Sequence, residues 1–230
     1  MPAGKCGGWG NGKSEHDVSG VATPQLAAQK KSLYDSERDT ARVKRLRADY
    51  QERVASLLVK RLKFIDEAGI HLGFTRLFGR AAPGERLEEG VAQGSGPKLT
   101  MLAAIGMQGV SAEWVIEGAL DGDAFEVYVK QVLGPTLVAG DIVVMDNLAV
   151  HKVGWVQAAI AACGAVVLYL PPYSPDLNPI EKCWSKVKTA LRAAKARTVD
   201  ELLRALKEAL LSISESDAQA WFIHCGYPVH

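Results

Sequence analysis

Apolar residues recur at roughly helical intervals through residues 25–61, at Leu33, Val43, Leu46, Tyr50, Val54 and Leu57, and predict a strongly charged helical segment. The pattern then changes. Residues 62–72 read as a strand, and residues 76–87 are expected to pair with them across a turn. Residues 98–107 and 113–116 suggest further strands, with Gly106 and Gly109 marking the bend between them. Residues 121–138 read as a helix with Phe125, Val129, Val132 and Leu133 on one face. Ile142, Val143, Val144 and Met145 form a short continuous apolar run, the signature of a strand covered on both faces. A helix over 152–162 and a second buried strand over 166–170 follow.

Four prolines in the nine residues 171–179 exclude regular structure there. Beyond them a helix is expected, with Asn178 as N-cap, Pro179 in the first turn, and Ile180, Trp184, Val187 and Leu191 as its apolar stripe. Thr198 and Glu201 form a capping box that opens another helix, running to about residue 213. Strands first, then alternating helix and strand, then helices: this order predicts an α/β fold, a mixed sheet flanked by helices with a helical N-terminal extension.

Charge changes the picture locally rather than globally. The net charge is only +1, yet residues 30–63 hold eleven Lys/Arg against five Asp/Glu. A second run carries Lys182, Lys186, Lys188, Arg192, Lys195 and Arg197. These are either polyanion-facing surfaces or two solvated helix faces. Residues 1–24 hold six glycines and read as disordered or vestigial. Within them, residues 7–14 match GxxxxGK[ST], but no buried strand precedes the string and no helical pattern follows it, so the match is coincidental. No apolar run reaches the ~20 residues of a membrane span. Cys6, Cys163, Cys183 and Cys225 form no CxxC pair, so a reducing cytoplasm is the default compartment.

Three acids stand where this architecture brings them together. Asp66 lies in the first strand, Asp146 follows the buried 142–145 strand at its carboxyl end, and Glu181 lies in the first turn after the proline-rich loop. Singly, each has an ordinary structural explanation, such as the helix dipole for Glu181. Their contexts are more specific. Asp146-Asn147 and the block Tyr173-Ser174-Pro175-Asp176-Leu177-Asn178-Pro179-Ile180-Glu181 resemble the transposases of the Tc/mariner superfamily, particularly its bacterial insertion-sequence branch. Thirty-four residues separate Asp146 from Glu181, which fits that family's D…D…E spacing. Phe64-Ile65-Asp66-Glu67 resembles the first-strand block, and Leu77-Phe78-Gly79-Arg80 the hairpin after it.

The resemblance implies a ribonuclease-H-like catalytic domain over residues 62–230, related to retroviral integrases. Residues 25–61 would then be a basic linker, the remnant of a DNA-binding region. It also implies metal-dependent phosphodiester hydrolysis and strand transfer on double-stranded DNA, both transposon ends and target, by a homodimer on the DNA. Two Mg²⁺ or Mn²⁺ ions would serve the attacking and leaving oxygens. Asp66 is expected to bridge them, with Asp146 and Glu181 each holding one and Glu67, on the opposite strand face, as a backup ligand. Asn147 and His151 match polar positions after the second acid and could orient a water or phosphate. His151 could equally be a satisfied residue at a helix start. Lys182, Lys186 and Lys188 are candidate contacts to DNA phosphates, while Trp184 reads as core. His71, His224 and His230 share no metal-ligand spacing.

The chain also departs from the family. Paired helix-turn-helix modules precede the catalytic domain in full-length relatives, whereas about sixty residues precede Phe64 here. A truncated or frameshifted copy is the corresponding expectation. Ala68 and Ala149-Val150 replace the usual small or polar residues without removing a ligand. A non-catalytic remnant that binds DNA, or a host ribonuclease-H-like nuclease, are the alternatives.

Overall fold

The computed structural model describes residues 35–91 and 96–228. The stretch 1–24, Cys6, the GxxxxGK[ST] string and the start of the basic segment lie outside the described residues.

Strand β1 (Leu62–Ile70) is buried on both sides, because Phe64 and Ala68 point one way, Ile65 points the other, and all three are inaccessible. It is the middle strand of a five-stranded sheet of order β3-β2-β1-β4-β5. β2 (Leu99–Gly106) and β3 (Gly109–Glu117) continue it as an antiparallel meander. On the other side β4 (Ile142–Met145) and β5 (Val166–Tyr169) run parallel, joined by the crossover helix α3 (Gly154–Ala162). This is the mixed sheet flanked by helices that the sequence predicts.

Each sheet face has its own core. On one face α1 (Ala41–Ala55), α4 (Ile180–Ala194), α5 (Val199–Leu211) and α6 (Glu215–His224) contribute Tyr50, Trp184, Leu206 and Phe222, which pack with Phe64 and Val144. On the other, α2 (Gly122–Val127) and α3 contribute Phe125, Val156 and Ile160 against Ile65, Val143 and Met145. The parity matters for function. Asp66 continues the Phe64 face and Asp146 continues the Val144 face, so both acids end up on the side where α4 packs. The parallel register pairs Phe64 with Val144, and two residues further along both strands stand Asp66 and Asp146.

Several expectations are corrected. The strand expected over 76–87 does not form among the described residues, and β1 pairs with β2 instead. Gly79, Pro83 and Gly84 interrupt that stretch, and Leu77, Phe78 and Leu87 lie exposed, with no apolar face to bury. The single helix expected over 121–138 is α2 followed by a π-helical turn (Tyr128–Leu133) and a 3₁₀ turn (Gly134–Thr136), since Pro135 has no N–H to continue the α ladder. The helix expected from 152 starts at Gly154, after a 3₁₀ turn (Ala149–Lys152). Asn178 does not cap α4 through its side chain. Pro179 occupies that position, and the Glu181 N–H donates to the Asn178 carbonyl oxygen at 3.2 Å. The Thr198–Glu201 capping box is present. The segment before β1 is a 3₁₀ turn (Ser36–Asp39), α1 and a second 3₁₀ turn (Val59–Arg61), and α1 buries Val43, Tyr50 and Val54. None of the described helices is long and apolar enough to cross a membrane.

Candidate active site

Asp66, Asp146 and Glu181 line one cleft of ≈ 540 Å³, walled by the proline-rich segment from Leu170 to Asn178. They arrive from three elements: the middle of β1, the residue after β4 and the first turn of α4. Among the described residues no three His, Cys, Asp or Glu side chains stand close enough to enclose an ion by themselves. The acids therefore form an open set.

Their electrostatics differ. Burial pushes the Asp66 carboxyl up to about 8, and the charges of Glu181, Glu67 and Asp146 push the same way. Glu181 is also raised, first by burial and then by Asp146, with the Lys188 ammonium opposing. Asp146 ends below the ordinary range, because hydrogen bonds outweigh its burial. His151 Nδ1 lies 2.7 Å from Asp146 Oδ1, and the Leu148 N–H donates to the same oxygen at 2.9 Å. A carboxylate can only accept, so His151 carries a proton on Nδ1. Three acids thus share one cleft, and burial together with their mutual charges holds Asp66 and Glu181 back from ionising.

The supporting residues are now placed. His151 is buried against the Phe125 ring (centroids 4.6 Å apart), and its backbone oxygen accepts from the Tyr169 hydroxyl at 2.8 Å. Its Nε2 has no hydrogen-bond partner and lies 3.7 Å from Glu67 Oε2. The Glu67 carboxyl is raised by burial, with His151 opposing and Asp146 adding. Asp66 and Glu67 thus face opposite sides of β1, towards α4 and towards His151. Asn147 donates from Nδ2 to the Leu170 carbonyl, tying the ends of β4 and β5 together. Trp184 is core, as expected, and also donates from Nε1 to Asp66 Oδ2 at 3.3 Å.

The three lysines diverge. Lys186 is engaged by Asp217 Oδ2 at 2.6 Å and by the Ser212 carbonyl at 3.2 Å. Lys182 is exposed, and Lys188, two helical turns beyond Glu181, is the one whose charge acts on that acid.

Other residues that shape the site carry no local sequence signal. Arg47 donates from Nη1 to Ser174 Oγ at 2.6 Å and to Asp176 Oδ1 at 3.0 Å, and from Nη2 to Asp176 Oδ2 at 2.7 Å. Tyr227 donates to the Leu177 carbonyl oxygen at 2.6 Å, and the Tyr50 and Tyr227 hydroxyls are 2.9 Å apart. A helical face carrying Val43, Arg47, Tyr50 and Val54 was the available hint, but it does not name the partner.

Comparison with known proteins agrees with this layout. No curated protein is similar in sequence at a significant level. Among solved structures, the Mos1 transposase paired-end complex with left transposon end is 16% identical with a TM-score of 0.71, over 89% of this chain and 64% of that one. The mariner Mos1 paired-end complex with Mg gives 16% and 0.71, over 88% and 64%. The Mos1 transposase catalytic domain with Raltegravir and Mg gives 16% and 0.62, over 83% and 91%. The chain therefore spans less than two thirds, 64%, of the Mos1 chains in those paired-end complexes. It has the ribonuclease-H-like fold of the Mos1 catalytic domain. The family described as DDE superfamily endonuclease matches residues 61–203, more than half of the chain, and the protein belongs to that family.

Proposed function

We propose that this chain is the catalytic part of a Tc/mariner-type DNA transposase. Its reaction would be metal-dependent phosphodiester hydrolysis followed by strand transfer, moving an insertion sequence. The observation that carries the reading is the shared cleft: Asp66, Asp146 and Glu181 line it from three separate elements, and burial, with the neighbouring acids adding to it, raises the Asp66 carboxyl to about 8. Such a set gains by binding a divalent cation.

The donors fit hard ions, which take carboxylate oxygens and complete their shell with water and substrate phosphate. Asp66, Asp146 and Glu181 would together hold the Mg²⁺ or Mn²⁺ ions. When bound, such ions supply Lewis-acid stabilisation for the oxygens entering and leaving phosphorus. The protein's own part is positional. His151 and the Leu148 N–H fix the Asp146 carboxylate, and Trp184 fixes Asp66. Lys188 holds positive charge beside Glu181, and Lys182 is exposed for contact with a phosphate. Water would be the first nucleophile and the released 3′-hydroxyl the second. The partners would be double-stranded transposon ends and target DNA, engaged by a homodimer in the cytoplasm.

Nicking of supercoiled plasmid tests this without requiring cognate ends. The intact chain is expected to nick in Mg²⁺ or Mn²⁺ and to stop in chelator, and Asp146→Asn to be inert. Equal nicking by both proteins would remove the proposal.

A further inference from the structure

The segment that carries Glu181 into the site cannot hold its own shape. Pro171, Pro172, Pro175 and Pro179 have no N–H to donate, and α4 begins with no side-chain cap. Tyr173 takes a left-handed backbone conformation at φ 53°, which a bulky residue adopts only when its surroundings impose it. The internal hydrogen bonds are single-turn ones: Leu177 N–H to the Ser174 carbonyl at 3.0 Å, and Asn178 N–H to the Pro175 carbonyl at 3.1 Å. The fixing contacts come from far away in sequence.

Most of them come from α1 and the turn before it. The Arg47 guanidinium takes both oxygens of Asp176 and the hydroxyl of buried Ser174, and Arg38 adds a contact to Asp176 Oδ2 at 3.1 Å. Ser174 in turn donates to the Pro172 carbonyl at 2.9 Å, so one planar fork ties together residues 172, 174 and 176. A planar fork with parallel N–H groups matches a carboxylate, and a lysine ammonium cannot reproduce it. The Arg47 side chain is only 13% exposed and its bond to Ser174 is part-buried, while the Asp176 carboxylate stays 40% exposed, so solvent reaches this ion pair from the Asp176 side. The Tyr173 hydroxyl reaches Glu37 Oε2 at 2.5 Å, and the Tyr50–Tyr227 pair holds the Leu177 carbonyl. Glu181 stands five residues beyond Asp176; its N–H donates to the Asn178 carbonyl at 3.2 Å, and the Asn178 N–H donates to the carbonyl of Pro175, the residue before Asp176.

We propose that Arg47 is a positioning residue for Glu181: α1 is a brace of the active site, and the Arg47 fork on Ser174 and Asp176 sets where the third acid stands. The consequence for Glu181 rests on its proposed role as a metal ligand; the brace itself does not. The basic character of α1 is accordingly spent in part on this internal contact, not on a polyanion.

Hydrogen–deuterium exchange and Mn²⁺ binding by calorimetry, on the full chain, test the two halves separately. In Arg47→Ala, amides 177–183 are expected to exchange about tenfold faster or more, as loss of a charge-assisted bidentate contact implies. Amides of β1 and β4 should keep their rates. Arg47→Lys should recover little of the protection, and Asp176→Asn, which keeps the shape of the loop residue, should reproduce the effect of Arg47→Ala. The Kd for Mn²⁺ should rise about tenfold in the same variants, on the scale of lost support around metal ligands. Unchanged exchange at 177–183, or one common acceleration throughout the molecule, would overturn the brace. Faster local exchange with an unaltered Mn²⁺ Kd would overturn the link to Glu181. An intact chain that binds no Mn²⁺ would overturn both the metal reading and that link, while the exchange data would still decide the brace.

Discussion

Trp184 on α4 donates its indole N–H to Asp66 Oδ2 on β1 at 3.3 Å, so the helix that carries Glu181 also touches the first acid of the set. The contact explains how two acids distant in sequence keep one relative position. Trp184 is buried in the core that also holds Phe64 of β1 and Val144 of β4.

Trp184→Phe keeps most of the packing and removes the donor. It should cost about 1–2 kcal/mol in denaturant unfolding and slow metal-dependent nicking several-fold. Trp184→Ala should cost about 3–5 kcal/mol through the cavity it leaves. A Phe variant with full stability but no nicking would mean that the indole N–H does chemistry rather than orientation.

The pH dependence of stability follows from Asp66. Its carboxyl ordinarily titrates at 3.8 and is raised to about 8 in the folded chain, chiefly by burial. Between those values the folded state holds a proton that the unfolded chain has lost, so metal-free stability falls as pH rises through that window. A divalent ion that binds only the folded state replaces the proton, so the gain in melting temperature on adding Mg²⁺ should be larger at pH 8.5 than at pH 6. Asp66→Asn should flatten the metal-free profile and remove the Mg²⁺ response. Melting curves at the two pH values, with and without Mg²⁺, settle the sign.

His151 and Glu67 separate support from ligation. His151→Phe takes the buried donor from Asp146 and should raise the half-saturating Mn²⁺ concentration for nicking about 10–100-fold. Glu67→Gln should retain nicking within a few-fold, because Glu67 faces His151 across the other side of β1. Abolished activity in Glu67→Gln would make Glu67 a ligand in place of Asp66.

Thr198→Ala serves as the contrasting case. Thr198 accepts from the Glu201 N–H at 3.2 Å in a complete capping box at the start of α5. Its loss should cost about 1 kcal/mol of stability and leave the nicking rate of folded protein unchanged. Denaturant unfolding and nicking, measured on one preparation, check both halves.

Local signals were legible in the sequence. The apolar run at 142–145 and the capping box at Thr198 reflect chemistry contained within a few residues, whereas the acids at 66, 146 and 181 stood out only together, through the blocks that resemble the family. Strand parity then put Asp66 and Asp146 on one side of the sheet. What remained hidden depends on partners far apart in the chain. Arg47 reads as one more cation on a basic helix until its Ser174 partner, 127 residues away, is in place. The strand expected at 76–87 failed because a neighbouring apolar stretch says nothing about whether a sheet edge is free, and β2 had taken it. Helix α6 escaped notice because Ala218 and Phe222 are its only buried side chains, too few to make a periodic stripe. Asn178 looked like a cap because capping follows residue type, whereas here its side chain is buried with Oδ1 unpartnered.

The most direct test of the central claim, that Asp66, Asp146 and Glu181 act as one site, is the plasmid-nicking rate of Asp66→Asn, Asp146→Asn, Glu181→Gln and the triple variant in Mn²⁺. Residues that work as a unit are strongly non-additive, so each single change should lower the rate about 10³-fold or more, with the triple variant no worse within a few-fold. A single variant within tenfold of the intact rate, or losses that multiply from single to triple, would contradict a shared site.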